Sequence, residues 1–364
     1  MNSYGHSFRV TLFGSSHGVG VGCVVDGCPA GITLTQDMVQ REMERRRPSP
    51  EIGTPRAEED MVQLQSGIWE EQTTGAPIQI FIVNKDQDSS KYAEFSTRPR
   101  PGHADYPALM KYGPAHDIRG GGQFSGRMTA PLVAAGAIAK AVLAEGGVRI
   151  AAYTLSIGEV VDYQERRLED VLDVVYKRPT RAASDELDRR MYSAILAAKE
   201  AQDSVGGVVR CLAEGLPVGV GEPFFDTLDG ELAKFIFAIP AVKGVEFGSG
   251  FSSARLRGSQ NNDAYRFEGG KVVTTTNNAG GVLGGMSNGM PLDFKVAFKP
   301  TASIPREQRT VDLSAGKEAM LKIEGRHDPC IVPRAVVVVE AATALVLVDL
   351  MIRGGFIARQ RRCH

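Results

Sequence analysis

Short runs of apolar residues punctuated by glycine open the chain, and long apolar stretches close it. FRVTLF at 8–13 has strand composition and runs into Gly14-Ser15-Ser16-His17-Gly18; GVGCVVDG at 20–27 predicts a second strand. Further strands are predicted at 78–84 (IQIFIVN), within 146–163 (VRIAAYTLSIGEV), at 205–213 (VGGVVRCLA) and at 293–300 (DFKVAFKP). A helix is predicted over 35–47, with Thr35 as N-cap, Asp37 in the first turn and Pro48 as the stop. Residues 128–145 predict an Ala-rich helix whose small side chains allow close packing. Amphipathic or apolar helices are predicted at 185–202, 229–238 and 331–352.

Strands and helices mix without a strict βαβ alternation, so the pattern favours an α+β fold over a doubly wound sheet. Glycine-rich turns recur in both halves, each near a long apolar helix. That hints at a duplicated, two-layer arrangement, although no fixed repeat period is visible. A length of 364 residues allows two intimately packed halves or one large domain. The most apolar stretch, 331–352, is interrupted by Arg334, Glu340 and Asp349, which would be costly in a bilayer. A buried core helix is expected there, not a membrane span. The first residues carry no uninterrupted apolar run behind a basic head, so no signal peptide is expected.

Composition narrows the chemistry. The hydrophobic fraction of 43% and charged fraction of 23% are ordinary for a soluble domain. A net charge of −1 and a pI near 6.6 give no general support for nucleic-acid binding. Local basic clusters on that neutral background suit a small anionic ligand better. The cysteines at 23, 28, 211, 330 and 363 form no CxxC pair, zinc spacing or disulfide framework. Reduced, buried thiols in a cytoplasmic protein are expected, with no metal site. Cys330 is read as helix-start packing.

The densest candidate chemistry lies at 97–127. Five basic side chains (Arg98, Arg100, Lys111, Arg119, Arg127) stand there against Asp105 and Asp117, with His103, His116 and the run Gly120-Gly121-Gly122. A glycine-rich turn leading toward a helix start offers backbone N–H groups to an anion, and arginines add bidentate donors. Arg45-Arg46-Arg47 end the 35–47 helix. Successive residues lie about 100° apart, so at most two can face one ligand. Gly18, Gly20 and Gly22 tempt a dinucleotide reading, but Val25 occupies the last glycine position of the fingerprint and no helix signal follows. Two rival functions stay open on these residues: an NAD(P)-dependent oxidoreductase, and a non-enzymatic anion- or RNA-binding protein.

Eight segments in order, GSSHGVGVG, RRRP, RPGHADY, RGGGQFSGR, AVKGVEFG, NNAGGVLGGMSNG, KPTASI and GRHDPCIVPRA, resemble chorismate synthase from one end of the chain to the other. The chain departs from the family pattern at Ser15, where Glu is common, at SGRMTA in place of SARETA, and at Glu51, where a basic residue often stands. The resemblance implies one chorismate-synthase-like domain over 1–364. Its fold is a β–α–β sandwich with central helices between antiparallel sheets and pseudo-duplicated halves, assembled as a homotetramer. It implies 1,4-anti-elimination of phosphate from 5-enolpyruvylshikimate 3-phosphate, giving chorismate, with reduced FMN and no net redox change. Some members carry their own flavin reductase activity, drawing on NADPH, and others rely on an outside reductant; both remain open. His103 matches the general acid for the leaving phosphate, His17 the histidine beside the flavin, and Asp328 the carboxylate near the flavin N5. Ser16, Arg46, Arg47, Arg56, Ser125, Arg127 and Arg326 match the substrate contacts. FMN would lie against Arg46, Gln123, Phe124, Ser125, Pro240, Ala241, Gly284, Lys299, Pro300, Thr301, Ala302, Ser303 and Arg326. His6, His116 and His364 receive no role.

Overall fold

The computed structural model describes residues 1–53, 60–85, 92–323, 325 and 327–358. Ten strands form two five-stranded sheets. The first sheet contains β1 (Ser3–Tyr4), β2 (Arg9–Gly14), β3 (Gly20–Asp26), β4 (Val62–Leu64) and β5 (Ile78–Val83), in the order β1-β2-β3-β5-β4. The second contains β6 (Arg149–Ile157), β7 (Val160–Val161), β8 (Gly207–Glu214), β9 (Val242–Phe247) and β10 (Leu292–Phe298), in the order β9-β10-β8-β6-β7. Every pairing in both is antiparallel. The main helices are α1 (Gln36–Arg45), α2 (Asp105–Tyr112), α3 (Thr129–Glu145), α4 (Asp185–Glu200), α5 (Leu228–Ile236) and α6 (Val332–Arg353).

Two of these helices fill the space between the sheets. α3 packs on β3 and β5, α6 packs on β6 and β8, and the two helices pack on each other. The layers therefore run sheet, helix, helix, sheet, four and not two, because each half is a five-stranded sheet backed by one long apolar helix and the two helices bury their remaining apolar faces on each other. The α+β sandwich with central helices is the architecture found. Close packing depends on Gly136: a Cβ there would lie 2.3 Å from Ala341 Cβ and 2.6 Å from its Cα, so any larger residue would force the helices apart.

Both central helices are long and apolar enough to cross a membrane, yet each is mostly or wholly buried inside the chain. Their charges are satisfied internally. Glu340 accepts from Lys140 Nζ (2.6 Å) and from the Ala152 amide (2.9 Å). Asp349 Oδ1 accepts the amides of His6 (3.0 Å), Ser7 (2.6 Å) and Phe8 (2.8 Å), which ties the N-terminal strands to the core helix. A carboxylate holding three N–H donors offsets the cost of its burial.

The α1 helix starts as its sequence predicts, with Thr35 Oγ1 accepting the Met38 amide at 3.2 Å. Cys23, Cys28, Cys211 and Cys330 are free and buried. Burial pushes the thiols of Cys23, Cys28 and Cys330 up to about 12, so they are inert as nucleophiles.

Candidate active site

The glycine run organises the site. Gly120, Gly121 and Gly122 have φ of 60°, 81° and 53°, a left-handed stretch that side chains with a Cβ rarely adopt. An ideal Cβ on Gly120 would fall 2.2 Å from His17 Cδ2 and 2.7 Å from Ser16 Oγ; one on Gly121 would fall 3.4 Å from His103 Cε1. The backbone of two successive glycines thus lies against two histidines that are distant in sequence. The run does not lead straight into a helix, as the sequence suggests. Ser125 intervenes, accepts the Arg127 amide (3.3 Å) and caps a single 3₁₀ turn before α3. The glycines cover His17 and His103.

His17 is buried, and its ring meets the edge of Tyr92 at a centroid distance of 5.0 Å. Its loop joins β2 to β3 and is held from outside by Asn84, which follows β5. Asn84 Nδ2 lies 3.0, 3.1 and 2.9 Å from the carbonyl oxygens of Ser15, Ser16 and Gly18. Asn84 Oδ1 accepts from Arg127 Nε at 3.0 Å. Arg127 Nη1 donates to Asp60 Oδ1, and Arg46 Nη1 donates to Asp60 Oδ2 at 3.0 Å. Arg46 also donates from Nε to Thr129 Oγ1 (3.0 Å) and from Nη2 to the Gly126 carbonyl (3.2 Å). One chain of contacts therefore joins the His17 loop to Arg127, Asp60 and Arg46.

The arginine triplet splits three ways. Arg45 pairs with Glu42 and Asp173 and lies over the Tyr176 ring. Arg46 turns inward as described, and Arg47 is exposed. Ser15 Oγ donates to Asp117 Oδ2 at 3.3 Å.

His103 forms a second unit. Its Nδ1 lies 2.8 Å from Asp105 Oδ1 and 3.1 Å from Arg100 Nη2. Arg100 holds Asp105 in a fork, Nη2 to Oδ1 and Nε to Oδ2, both 2.7 Å. Only a donating Nδ1–H satisfies an ionised carboxylate, so His103 is oriented with Nε2 toward Gly121 (3.5 Å from the ideal Cβ). Burial would raise the Asp105 carboxyl, but hydrogen bonds from Arg100 and His103 outweigh it and hold the carboxyl well below the usual range. His116 also joins the group: its Cε1 lies 3.7 Å from the ideal Cβ of Gly122, and its ring packs with Phe124 and Tyr112. Phe124 is half-buried in that cluster, while Gln123 is exposed.

The later segments attach to this frame. Lys299 Nζ donates to the Gly102 carbonyl next to His103, and an ideal Cβ on Gly102 would lie 3.3 Å from Ala302 Cβ. The Lys299 amide donates to Ala241 O (3.0 Å), and Ala241 has a left-handed φ of 73° after Pro240. Desolvation, then the neighbouring Lys243 charge, lowers the Lys299 ammonium. Residues 204 and 205 tie two more segments together. Ser204 Oγ donates to Thr301 O (2.7 Å) and the Val205 amide to Pro329 O (2.9 Å). Pro300 packs on Gly206, and Ser303 is buried. Asp328 accepts from Arg334 Nη1 at 2.7 Å at the start of α6. Gly284 (φ 61°) sits in a tight hairpin turn whose next glycine packs on Thr227 at the start of α5. Arg56 and Arg326 lie outside the described residues.

Two histidines set against successive glycines, one of them backed by an aspartate–arginine pair, and a network of arginines on Asp60 bring proton-donating and cationic groups together. A family model described as chorismate synthase matches residues 8–352. The chain belongs to the chorismate synthase family. It is 49% identical over 359 residues to chorismate synthase of Dehalococcoides mccartyi, covering 98% of each chain. It is 48% identical over 357 residues to that of Methanococcoides burtonii, covering 98% of this chain and 97% of the other. A solved crystal structure of chorismate synthase is 29% identical with a TM-score of 0.76, covering 96% of this chain and 93% of that one. The chorismate synthase reaction is a 1,4-anti-elimination of phosphate from 5-enolpyruvylshikimate 3-phosphate, the last step of the shikimate pathway toward aromatic amino acids.

Asn84 and Asp60 were not legible as site residues in the sequence. Asn84 ends an apolar strand and Asp60 follows two glutamates, signals shared with many surface positions. Asp105, two residues after His103, has a local signal, since a histidine-x-aspartate spacing can orient an imidazole.

Proposed function

We propose that His103 protonates the departing phosphate from Nε2, that His17 stands beside the flavin, and that Asp328 lies near its reacting edge. The observation carrying this is the pair of histidines under Gly120 and Gly121. Asp105 fixes the His103 ring and tautomer, which leaves Nε2 as the atom free to act on the phosphate. Ser16, Arg46, Arg47, Ser125 and Arg127 supply donors to a substrate bearing a phosphate and two carboxylates, with Arg56 and Arg326 proposed from the family pattern. Arg46 also acts through Asp60 by fixing Arg127.

The chain's residues fit a flavin phosphate. Lys299 and Lys243 bring two positive charges together, and Thr301 Oγ1 is buried without a hydrogen-bond partner among the described residues. We therefore place reduced FMN against Gln123, Phe124, Ser125, Pro240, Ala241, Gly284, Lys299, Pro300, Thr301, Ala302 and Ser303. When bound, reduced FMN supplies the electron-rich partner needed to break a poorly acidic C–H bond. NADPH is the electron source offered for it, through an intrinsic reductase activity or an outside one. One domain over 1–364, assembled as a cytoplasmic homotetramer, completes the proposal. Phe224, Phe225, Phe251 and Phe267 are strongly exposed and give apolar surface for subunit contact.

Lys299→Ala tests the cofactor placement. It should weaken FMN binding, measured by flavin fluorescence with substrate present, by about tenfold or more for one charge-assisted contact. Unchanged flavin affinity with unchanged circular dichroism would remove Lys299 from the phosphate site.

A further inference from the structure

We propose that Asn84 is a positioning residue that sets His17 and Arg127 as one unit. It rests on the assignment of His17 to the active site. Asn84 is 7% exposed and directly follows β5, where its amide donates to Val19 O (3.1 Å) beside the start of β3. The sheet thus fixes its backbone, and its side chain reaches across the β2–β3 connection.

Three carbonyl oxygens, from Ser15, Ser16 and Gly18, converge within 3.1 Å on one side of the carboxamide. A guanidinium nitrogen, Arg127 Nε, meets the other side at 3.0 Å. Carbonyls accept and a guanidinium donates, so the amide orientation has one solution: Nδ2 toward the loop and Oδ1 toward Arg127. No other side chain of that length both donates and accepts this way. Aspartate would keep the Arg127 contact but set a negative oxygen against three carbonyls. Alanine would lose both.

The three carbonyls bracket His17, whose ring is otherwise steadied by Tyr92 and Gly120. Arg127 is itself locked to Asp60, which Arg46 holds from the other side. Asn84 is the link through which the histidine loop and the arginine pair keep a common geometry. Releasing it frees His17 and Arg127 relative to each other while leaving both residues present. A misplacement of about 1 Å costs on the order of 10²-fold in rate.

Asn84→Ala and Asn84→Asp should each lower kcat for phosphate release by about 10- to 100-fold, with a smaller change in KM. In protein with isotope-labelled histidine, the His17 ring resonance, identified by its loss in His17→Gln, should move in both variants. The His103 resonance should stay in place. Wild-type kcat with an unmoved His17 signal overturns the proposal. If neither variant folds, the wild-type protein decides: the Asn84 Nδ2 protons should exchange slowly with solvent, and fast exchange overturns it. Absence of phosphate release by the wild type would instead sink the active-site assignment, and the histidine resonances would still report whether Asn84 holds the loop.

Discussion

His103→Ala will lower kcat by about 10²–10⁴-fold, the usual contribution of a positioned proton donor, while substrate and FMN still bind. The expectation follows from the Arg100–Asp105–His103 unit, in which the Nδ1 contact of 2.8 Å leaves Nε2 as the atom that faces the glycine run. Asp105, held well below the usual carboxylate range, stays ionised and keeps the His103 Nδ1–H as its donor. Steady-state kinetics, with equilibrium binding of FMN, check this. Wild-type turnover would reduce His103 to a structural residue.

Gly120→Ala will damage catalysis almost as much through a single added methyl group. Its φ of 60° is left-handed, and the new Cβ would overlap His17 Cδ2 at 2.2 Å. The left-handed strain alone costs about 1–2 kcal/mol. Displacing His17 or the glycine run by a few tenths of an ångström to an ångström should cost on the order of 10²-fold in kcat. The spectrum of bound reduced FMN should change as well, because His17 is proposed to stand by the ring. Gly258→Ala provides the comparison: nothing lies within 4 Å of its ideal Cβ, so its turnover should match wild type. Equal kcat for the two variants would mean that the glycine run does not position His17.

The main strands and helices were legible because their determinants are local, whereas the stacking of the layers came from the family resemblance. Thr35 caps its helix by a hydrogen bond to a nearby amide, and the apolar stretches at 128–145 and 331–352 are too long and too hydrophobic to sit on a surface. The histidine pair was legible only as two separate motifs. What relates them is that they lie against Gly120 and Gly121, whose sequence signals flexibility but not what the backbone covers. The inward turn of Arg46 and the outward turn of Arg47 follow from helix geometry once Asp60 and Thr129 are in place, and those partners come from other elements. Asn84 was illegible for the same reason, since Ser15, Ser16, Gly18 and Arg127, which its side chain meets, lie across the sheet or on the α3 approach.

Anaerobic turnover of 5-enolpyruvylshikimate 3-phosphate with reduced FMN, following phosphate and chorismate together, tests the central claim most directly. Equal amounts of phosphate and chorismate, many turnovers per flavin, and no net consumption of reduced flavin or NADPH are predicted. No phosphate release, or reductant consumed in proportion to product, would contradict it.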